Sequence, residues 1–453
     1  MSTLSIPTTR APSASATGGL LGALVAPGAL GASTTAIALP AIASDLGLSG
    51  GQAVWILAGY VLAAAMAVPV LGRLGDMRGV RTVLLAAAGF IAAGSLLAAL
   101  SGSFATLLLA RLLQGVAFGA FPVAAFAIVA ARHEGPERPL ALGAMTAVLA
   151  IVSGSGTLIG GVLTDAVSWR PVVALPALSL LALPAVLPLA PAEGRPGARL
   201  DVAGALLVAA LASSVVLLLE TPSVDFATWL VVALAVVALG AAAAVARRIR
   251  TRPDGFVPPV VVRSRRFVLG TLAAMSLFCA YLAMLFAAPL LLLRDHDWST
   301  TEIGLVLLPA ALMGAVSSRV AARLNTTRNP FRVAAVLAVA SAAGLAIGGA
   351  GAGAPVATAL ALGLVLGGFA ASQGGLVAQV PLAVEPSHRS VATGLFQLCS
   401  MLGGAMGSAL VVGLSDPLGL PGAVAAVAVI PAAGAALALA AGRAPFSAPA
   451  ASA

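Results

Sequence analysis

Within the apolar run LARLLQGVAFGA, residues 109–120, an arginine and a glutamine stand one helical turn apart, Arg111 and Gln114. An arginine deep in hydrocarbon costs about 2.5 to 3.5 kcal/mol on insertion scales, so such a side chain either snorkels to the headgroups or faces a cavity or a partner. Arg111 lies roughly 10 Å below the outer surface at 1.5 Å per residue. Gly115 and Gly119 follow it at i+4 and i+8 on one helix face, where a ligand or another helix can come close, and this favours the inward orientation. Other polar groups in apolar runs are Ser33, Thr34, Thr35, Ser153, Ser155, Tyr281, Gln373, Gln379, Gln397 and Ser400. Each needs a hydrogen-bond partner, either a neighbouring helix or a bound solute.

The acidic residues behave differently. All 15 fall in loops or at expected membrane boundaries, the deepest being Asp165 and Glu220. A carboxylate raised toward neutral pH by burial is the simplest intramembrane proton relay, and no span holds one. No loop pairs carboxylates, sets a nucleophile beside a base or has metal-ligand spacing, so the chemistry is that of binding and passage. No enzyme activity, cofactor or metal is expected. The two cysteines, Cys279 and Cys399, lie in apolar runs and form no disulfide framework.

The elements that must hold these groups are membrane helices. The chain is 60% hydrophobic and 9% charged, with a mean hydropathy of +1.08. Apolar stretches long enough to cross a roughly 30 Å core recur throughout and predict about fourteen spans. All 24 basic residues are arginines. With the N-terminus inside, they fall almost entirely in alternate loops; only Arg170 and Arg294 lie in outer ones. Trp55, Trp169, Trp229 and Trp298 fall at the expected outer boundaries. A multi-pass protein of the cell membrane with both termini cytoplasmic is expected. The net charge of +9 reflects this topology, since no basic face beside aromatics suggests a nucleic-acid partner.

The most charged loop, GRLGDMRGVR, spans residues 72–81. Gly72, Gly75 and Gly79 permit a tight turn, and Asp76 can bond Arg78, Arg81 or the free amides of a helix N-terminus, or remain solvated. A degraded counterpart, SRVAARLNTTRNPFR, follows the tenth span. The repeat implies six plus six helices with an inserted pair between, and parallel repeats suggest alternating access around a midplane cavity. The expected units are a cytoplasmic tail 1–18, a six-helix bundle 19–199, the inserted pair 200–250, a second six-helix bundle 251–443 and a tail 444–453.

GRLGDMRGVR matches the loop motif GxLaDrxGrkxxl at Gly72, Leu74, Asp76, Gly79 and Arg81, and LARLLQGVAFGA matches lxxxRxxqGxgaa at Arg111, Gln114, Gly115 and Gly119. GSGTLIGG resembles the fifth-helix motif GPxxGG at Gly156, Gly160 and Gly161, and ALPAI, WILAGYVLA, SWR and LDVAGALLV extend the likeness along the chain. In these motifs the chain resembles the major facilitator superfamily, in its 14-span drug and proton antiporter branch. The resemblance implies an all-α membrane fold of two six-helix bundles plus an inserted pair. It also implies export of small amphiphiles such as antibiotics, driven by proton antiport. A cavity with one arginine and no acid is expected to prefer neutral or anionic amphiphiles to permanent cations.

For individual residues, the resemblance implies a gate at Gly72, Asp76, Gly79 and Arg81 and a proton-coupling or substrate-anchoring role for Arg111. Small-residue spacing predicts helix packing at Gly156, Gly160 and Gly161, and the polar and acidic groups in or near the spans predict a substrate and proton pathway through Arg111, Gln114, Thr34, Tyr281, Gln373, Gln397, Glu220 and Asp165. Small-molecule substrates, protons and the lipid bilayer are the expected partners of a monomer. The chain departs from the family pattern at Thr157 and Val152, where proline and glycine are usual, and at Gly31, Ala36 and Ser400, where aspartate, asparagine and arginine are frequent. The missing carboxylate leaves an uncoupled facilitator or importer open beside proton antiport, as well as a transport-inactive sensor of the same fold.

Overall fold

The computed structural model describes residues 13–444 apart from 195–200, 220, 222–226, 253–254, 296–297, 299, 352 and 386–387. Among the described residues every regular element is helical: α1 (Ala14–Leu46), α2 (Gly50–Arg78), α3 (Val80–Ala99), α4 (Phe104–Arg132), α5 (Glu137–Gly154), α6 (Gly156–Ala166), α7 (Trp169–Ala174), α8 (Ser179–Val186), α9 (Val202–Leu219), α10 (Thr228–Thr251), α11 (Pro259–Arg263), α12 (Arg265–Asp295), α13 (Thr300–Thr327), α14 (Pro330–Ala350), α15 (Pro355–Gln379), α16 (Arg389–Val427) and α17 (Val429–Arg443). Backbone groups have no water to bond in hydrocarbon, so helices satisfy them internally.

Local sequence sets the boundaries. Ser49 with Gln52 and Ser103 with Thr106 form capping boxes that start α2 and α4. Ser13 caps α1, so residues 14–18, expected in the tail, are already helical. Proline removes an amide from the helical ladder, and 3₁₀ turns at Leu175–Leu178 and Leu187–Leu189 interrupt α7 and α8 at Pro176 and Pro188. The pair α5 and α6 bends by 41° at Gly154-Ser155-Gly156, where the Ser155 hydroxyl bonds back to the Ile151 carbonyl at 2.7 Å.

Among the described residues twelve helices are long and apolar enough to cross a membrane, or thirteen with the bent pair. The last run, Val391–Arg443, has 53 residues, roughly 80 Å at 1.5 Å per residue. It is broken at Gly419, whose φ is 69° between Pro417 and Pro421. Two crossings in that run make the count compatible with the expected fourteen.

In the N-terminal half α1 packs on α5, and α2 and α3 pack on α4; in the C-terminal half α12 packs on α16, and α13 and α14 pack on α15. The halves meet mainly where α5 and α6 lie along α13, with further contact of α15 on α5 and α2 on α16. The pair α9 and α10 sits on the rim: α9 touches α2 and α16. Only 11% of the apolar window of α10 is buried, and Trp229, Val232 and Leu239 are exposed as lipid-facing side chains should be.

Close approach depends on glycine. A Cβ at Gly115 would strike the Tyr60 carbonyl, and one at Gly119 would lie 2.5 Å from the Ala64 carbonyl oxygen, so α4 lies directly on α2. Gly89, exposed on α3, has nothing within 4 Å. We therefore predict that Gly115→Val destabilises the protein by at least the ~1 to 3 kcal/mol typical of overpacking, whereas Gly89→Ala leaves thermal unfolding of purified protein unchanged or slightly higher. Equal melting of the two variants would contradict the α2–α4 contact.

Candidate functional site

Arg111 is fully buried. Its Nε donates to the Ile56 carbonyl at 3.3 Å and its Nη1 to Gln114 Oε1 at 3.0 Å. Gln114 Nε2 donates in turn to the Val173 carbonyl at 2.8 Å and the Ser95 hydroxyl at 3.0 Å. The guanidinium lies 4.0 Å over the Tyr60 ring, and the Tyr60 hydroxyl donates to the Gly28 carbonyl at 2.7 Å. One network thus joins α1, α2, α3, α4 and α7. Carbonyls, an amide and an aromatic face stabilise the cation, with no carboxylate among the described partners. Arg111 Nη2 is buried without a partner and is the one donor group left over.

Arg111 and Gln114 are therefore brought together as their spacing suggests, while Tyr60 and Ser95 were not singled out from sequence. The available signal was a tyrosine inside an apolar span, because its hydroxyl must find a partner there. The resemblance would put aspartate at position 31, but a Cβ on Gly31 would strike the Pro176 ring, so this packing has no room for that carboxylate.

Several other candidate residues satisfy themselves locally. Thr34 and Thr35 donate to the Leu30 and Gly31 carbonyls at 2.9 and 2.6 Å, and Ser400 to the Phe396 carbonyl at 2.9 Å, each within its own helix. Gly156 and Gly160 lie against Ser33 and Thr34 of α1, and Gly161 is buried. Tyr281 crosses between halves: its hydroxyl donates to Ser153 Oγ of α5 at 3.5 Å. Its ring stacks on Phe369 with centroids 4.7 Å apart, and Phe278 stacks on the same Phe369 ring at 4.6 Å. Gln373 and Gln397 are buried, each with an Oε1 that lacks a partner.

Asp165 is exposed near the end of α6, apart from the buried partners of Arg111, and Glu220 lies outside the described residues. Among the described residues no aspartate or glutamate is buried.

The charged loop is mostly helix. Nothing interrupts α2 before Gly79, so Gly72 and Gly75 are helical and the turn rests on Gly79 alone, at φ 88°. This corrects the tight turn expected from three glycines. Asp76 lies in the last turns of α2, and its side chain is outside the described residues. The Arg81 amide donates to the Pro191 carbonyl at 3.1 Å, and a Cβ on Gly79 would strike the Ala192 carbonyl, so the segment after α8 packs onto the turn.

A second polar site escaped the sequence reading. Asp201 caps α9 by accepting from the Gly204 amide at 3.0 Å, and it accepts from the Phe256 amide and Arg248 Nε, each at 2.9 Å, and from Arg248 Nη2. These bonds, led by the Arg248 guanidinium, hold its carboxyl well below the usual carboxylate range. They fasten the foot of α9 to α10. The sequence signal was an aspartate immediately before an apolar run.

Residues 20–408 match the family described as Major Facilitator Superfamily. The chain is 31% identical over 406 residues to the cephamycin export protein CmcT of Amycolatopsis lactamdurans, covering 84% of this chain and 80% of that one. It is 34% identical over 325 residues to the puromycin resistance protein pur8 of Streptomyces alboniger, covering 69% and 63%. It is 29% identical over 391 residues to the tetracenomycin C resistance and export protein of Streptomyces glaucescens, covering 84% and 72%. The solved structure of the human organic anion transporter MFSD10 superposes with a TM-score of 0.64 over 93% of this chain and 97% of that one; at 18% identity it shares the fold.

The Arg111 network makes a stability prediction. Gln114→Ala strips a partner from Arg111, Ser95 and the Val173 carbonyl, and should destabilise the purified protein by about 1 to 3 kcal/mol. In the Arg111→Met background the same change should cost less, because the cation needing an acceptor is gone. Additive losses in thermal unfolding would refute the coupling.

Proposed function

The chain belongs to the major facilitator superfamily, and from that membership we propose that it exports small amphiphilic compounds, antibiotics among them, by alternating access in the cell membrane. The names of three relatives, which export cephamycin, resist puromycin, or resist and export tetracenomycin C, support efflux. The observation that carries the alternating-access reading is the seam between the halves. Along it Gly143 meets Ala322, Gly154 meets Ala311, Gly314 meets Ala150 and Gly304 meets Leu158, so α5, α6 and α13 touch with few bulky side chains interlocked. Smooth contact between rigid bundles is what rocking requires. On this reading the chain acts as a monomer with both ends of the polypeptide in the cytoplasm.

The expected substrates are neutral or anionic. A pathway beside a buried guanidinium and without buried carboxylates disfavours a permanent cation by charge and offers it no acidic partner. Proton antiport is the proposed driving force, with exchange through Arg111 and Asp165 or Glu220. Gate residues Gly72, Asp76, Gly79 and Arg81 are proposed to hold one access state. The absence of buried acids among the described residues favours a second reading, an uncoupled facilitator or importer.

Flux measurements separate these. Cells expressing the chain should accumulate less of a neutral or anionic amphiphilic antibiotic than control cells, and an uncoupler should abolish the difference. Net movement down the gradient that ignores the uncoupler would establish the uncoupled reading, and efficient export of a quaternary ammonium dye would contradict the charge preference. Glu220→Gln or Asp165→Asn should lose pH-driven transport; full coupling in both would discard that proton route. Gly143→Val should reduce transport more than tenfold at equal membrane abundance, because a branched side chain there wedges α5 from Ala322.

A further inference from the structure

The arginine-rich face holds two cations with no neutralising partner among the described residues. Arg138 lies in the first turn of α5 and Arg389 opens α16, so one belongs to each half. Both are half-buried, and both have a buried Nε without a partner. Neither guanidinium makes an ion pair or hydrogen bond among the described residues, and the two are close enough to repel. Among the described side chains the neighbouring acids are otherwise placed: Glu137 bonds His133 Nδ1 at 3.0 Å, Glu385 lies 4.0 Å from His388, and Glu134 and Glu193 form no bond to either arginine.

Two cavities, about 430 and 340 Å³, meet at this pair, because Arg138 and Arg389 line both. His133, 6% exposed, lines the smaller one, and its Nε2 also lacks a partner. The helix behind Arg389 adds to the field. No side chain caps α16 at His388, so its N-terminal end adds positive potential; in α5 the Glu137 amide already donates to the Glu134 carbonyl and Pro139 has none. Half-buried like charges held together without a countercharge are unfavourable, and an anion between them removes the repulsion while accepting from both planar forks.

We propose that Arg138, Arg389 and His133 form a binding site for a phosphate- or carboxylate-bearing anion that bridges the two halves of the protein at its arginine-rich face. The site is whole only while that face is closed, since α5 and α16 belong to opposite halves. An occupant therefore favours closure there, whatever drives transport.

The test is thermal unfolding of the purified full-length protein in uncharged detergent. Citrate and inorganic phosphate are titrated against chloride of equal ionic strength, and phosphatidylglycerol against phosphatidylcholine. The wild type should melt higher with the soluble anions, with phosphatidylglycerol, or with both; the responding arm identifies a soluble anion or a lipid headgroup as the source. Arg138→Gln and Arg389→Gln should each raise the half-maximal concentration at least tenfold, while Arg328→Gln, which removes an exposed arginine elsewhere on the same face, should keep the wild-type response. In chloride alone the two glutamine variants should melt at or above the wild type, because each relieves like-charge repulsion. A lower midpoint in chloride would make the arginines structural and overturn the site, as would identical responses in all four chains or no response to any anion.

Discussion

Helices in hydrocarbon gain nothing by hiding apolar surface from lipid, so this structure depends on how closely backbones can approach one another. Glycine decides that distance in both halves. Gly115 and Gly119 seat α4 on α2; Gly403 and Gly407 seat α16 on α12 against the carbonyls of Met275 and Cys279; Gly18 and Gly22 seat α1 on α5. At each contact a Cβ would collide with a neighbouring helix, so these pairs are held by dispersion between close backbones rather than by interdigitated side chains. The same small-residue contact runs between the halves at Gly143, Gly154 and Gly304. Interfaces inside each bundle and between bundles are thus of one chemical kind. They differ in extent: within each bundle the core helices pack on several neighbours, whereas the halves meet chiefly along α5, α6 and α13.

Arg111 is placed by this rule. Gly115 lies one turn beyond it, and the approach of α2 that Gly115 allows is what sets the Tyr60 ring under the guanidinium and the Ile56 carbonyl within reach of Nε. Packing comes first and the polar network follows. The same reasoning explains the empty acid position in α1, because the turn at Pro176 occupies the space beside Gly31 that a carboxylate would need.

The helical membrane fold was legible in the sequence because it depends on sums over long windows: apolar runs of sufficient length and arginines sorted by loop. The Arg111–Gln114 bond was legible too, since residues three apart on a helix share a face whatever surrounds them. Contacts between distant segments were not. Tyr60, Ser95 and Val173 meet Arg111 and Gln114 only through the tertiary arrangement of α2, α3 and α7, and Asp201 meets Arg248 across 47 positions. Glycines in a charged stretch suggested a loop, yet Gly72 and Gly75 sit inside a helix, because Leu74, Met77 and Arg78 all favour the helical state and only Gly79 takes positive φ. Thr34 and Thr35 show which of two options a hydroxyl inside a span takes here: each donates to the carbonyl one turn back in its own helix.

The two halves, though built on one plan, hold polar groups in different states. In the N-terminal half the guanidinium and the amide of Gln114 are tied to fixed carbonyls and an aromatic face, so they can change partners only by breaking several bonds together. In the C-terminal half the Gln373 and Gln397 carbonyl oxygens are buried with no donor among the described residues, and the same half holds a stack of Phe278, Tyr281 and Phe369. An acceptor left without a donor in a dry interior costs free energy until something supplies one. On the efflux reading, this division assigns rigidity and positive potential to the first half and adaptable recognition to the second. On the same proposal, flat rings and a few amides would accept many amphiphiles because they demand little directional bonding, while the fixed cation across the seam would discriminate by charge.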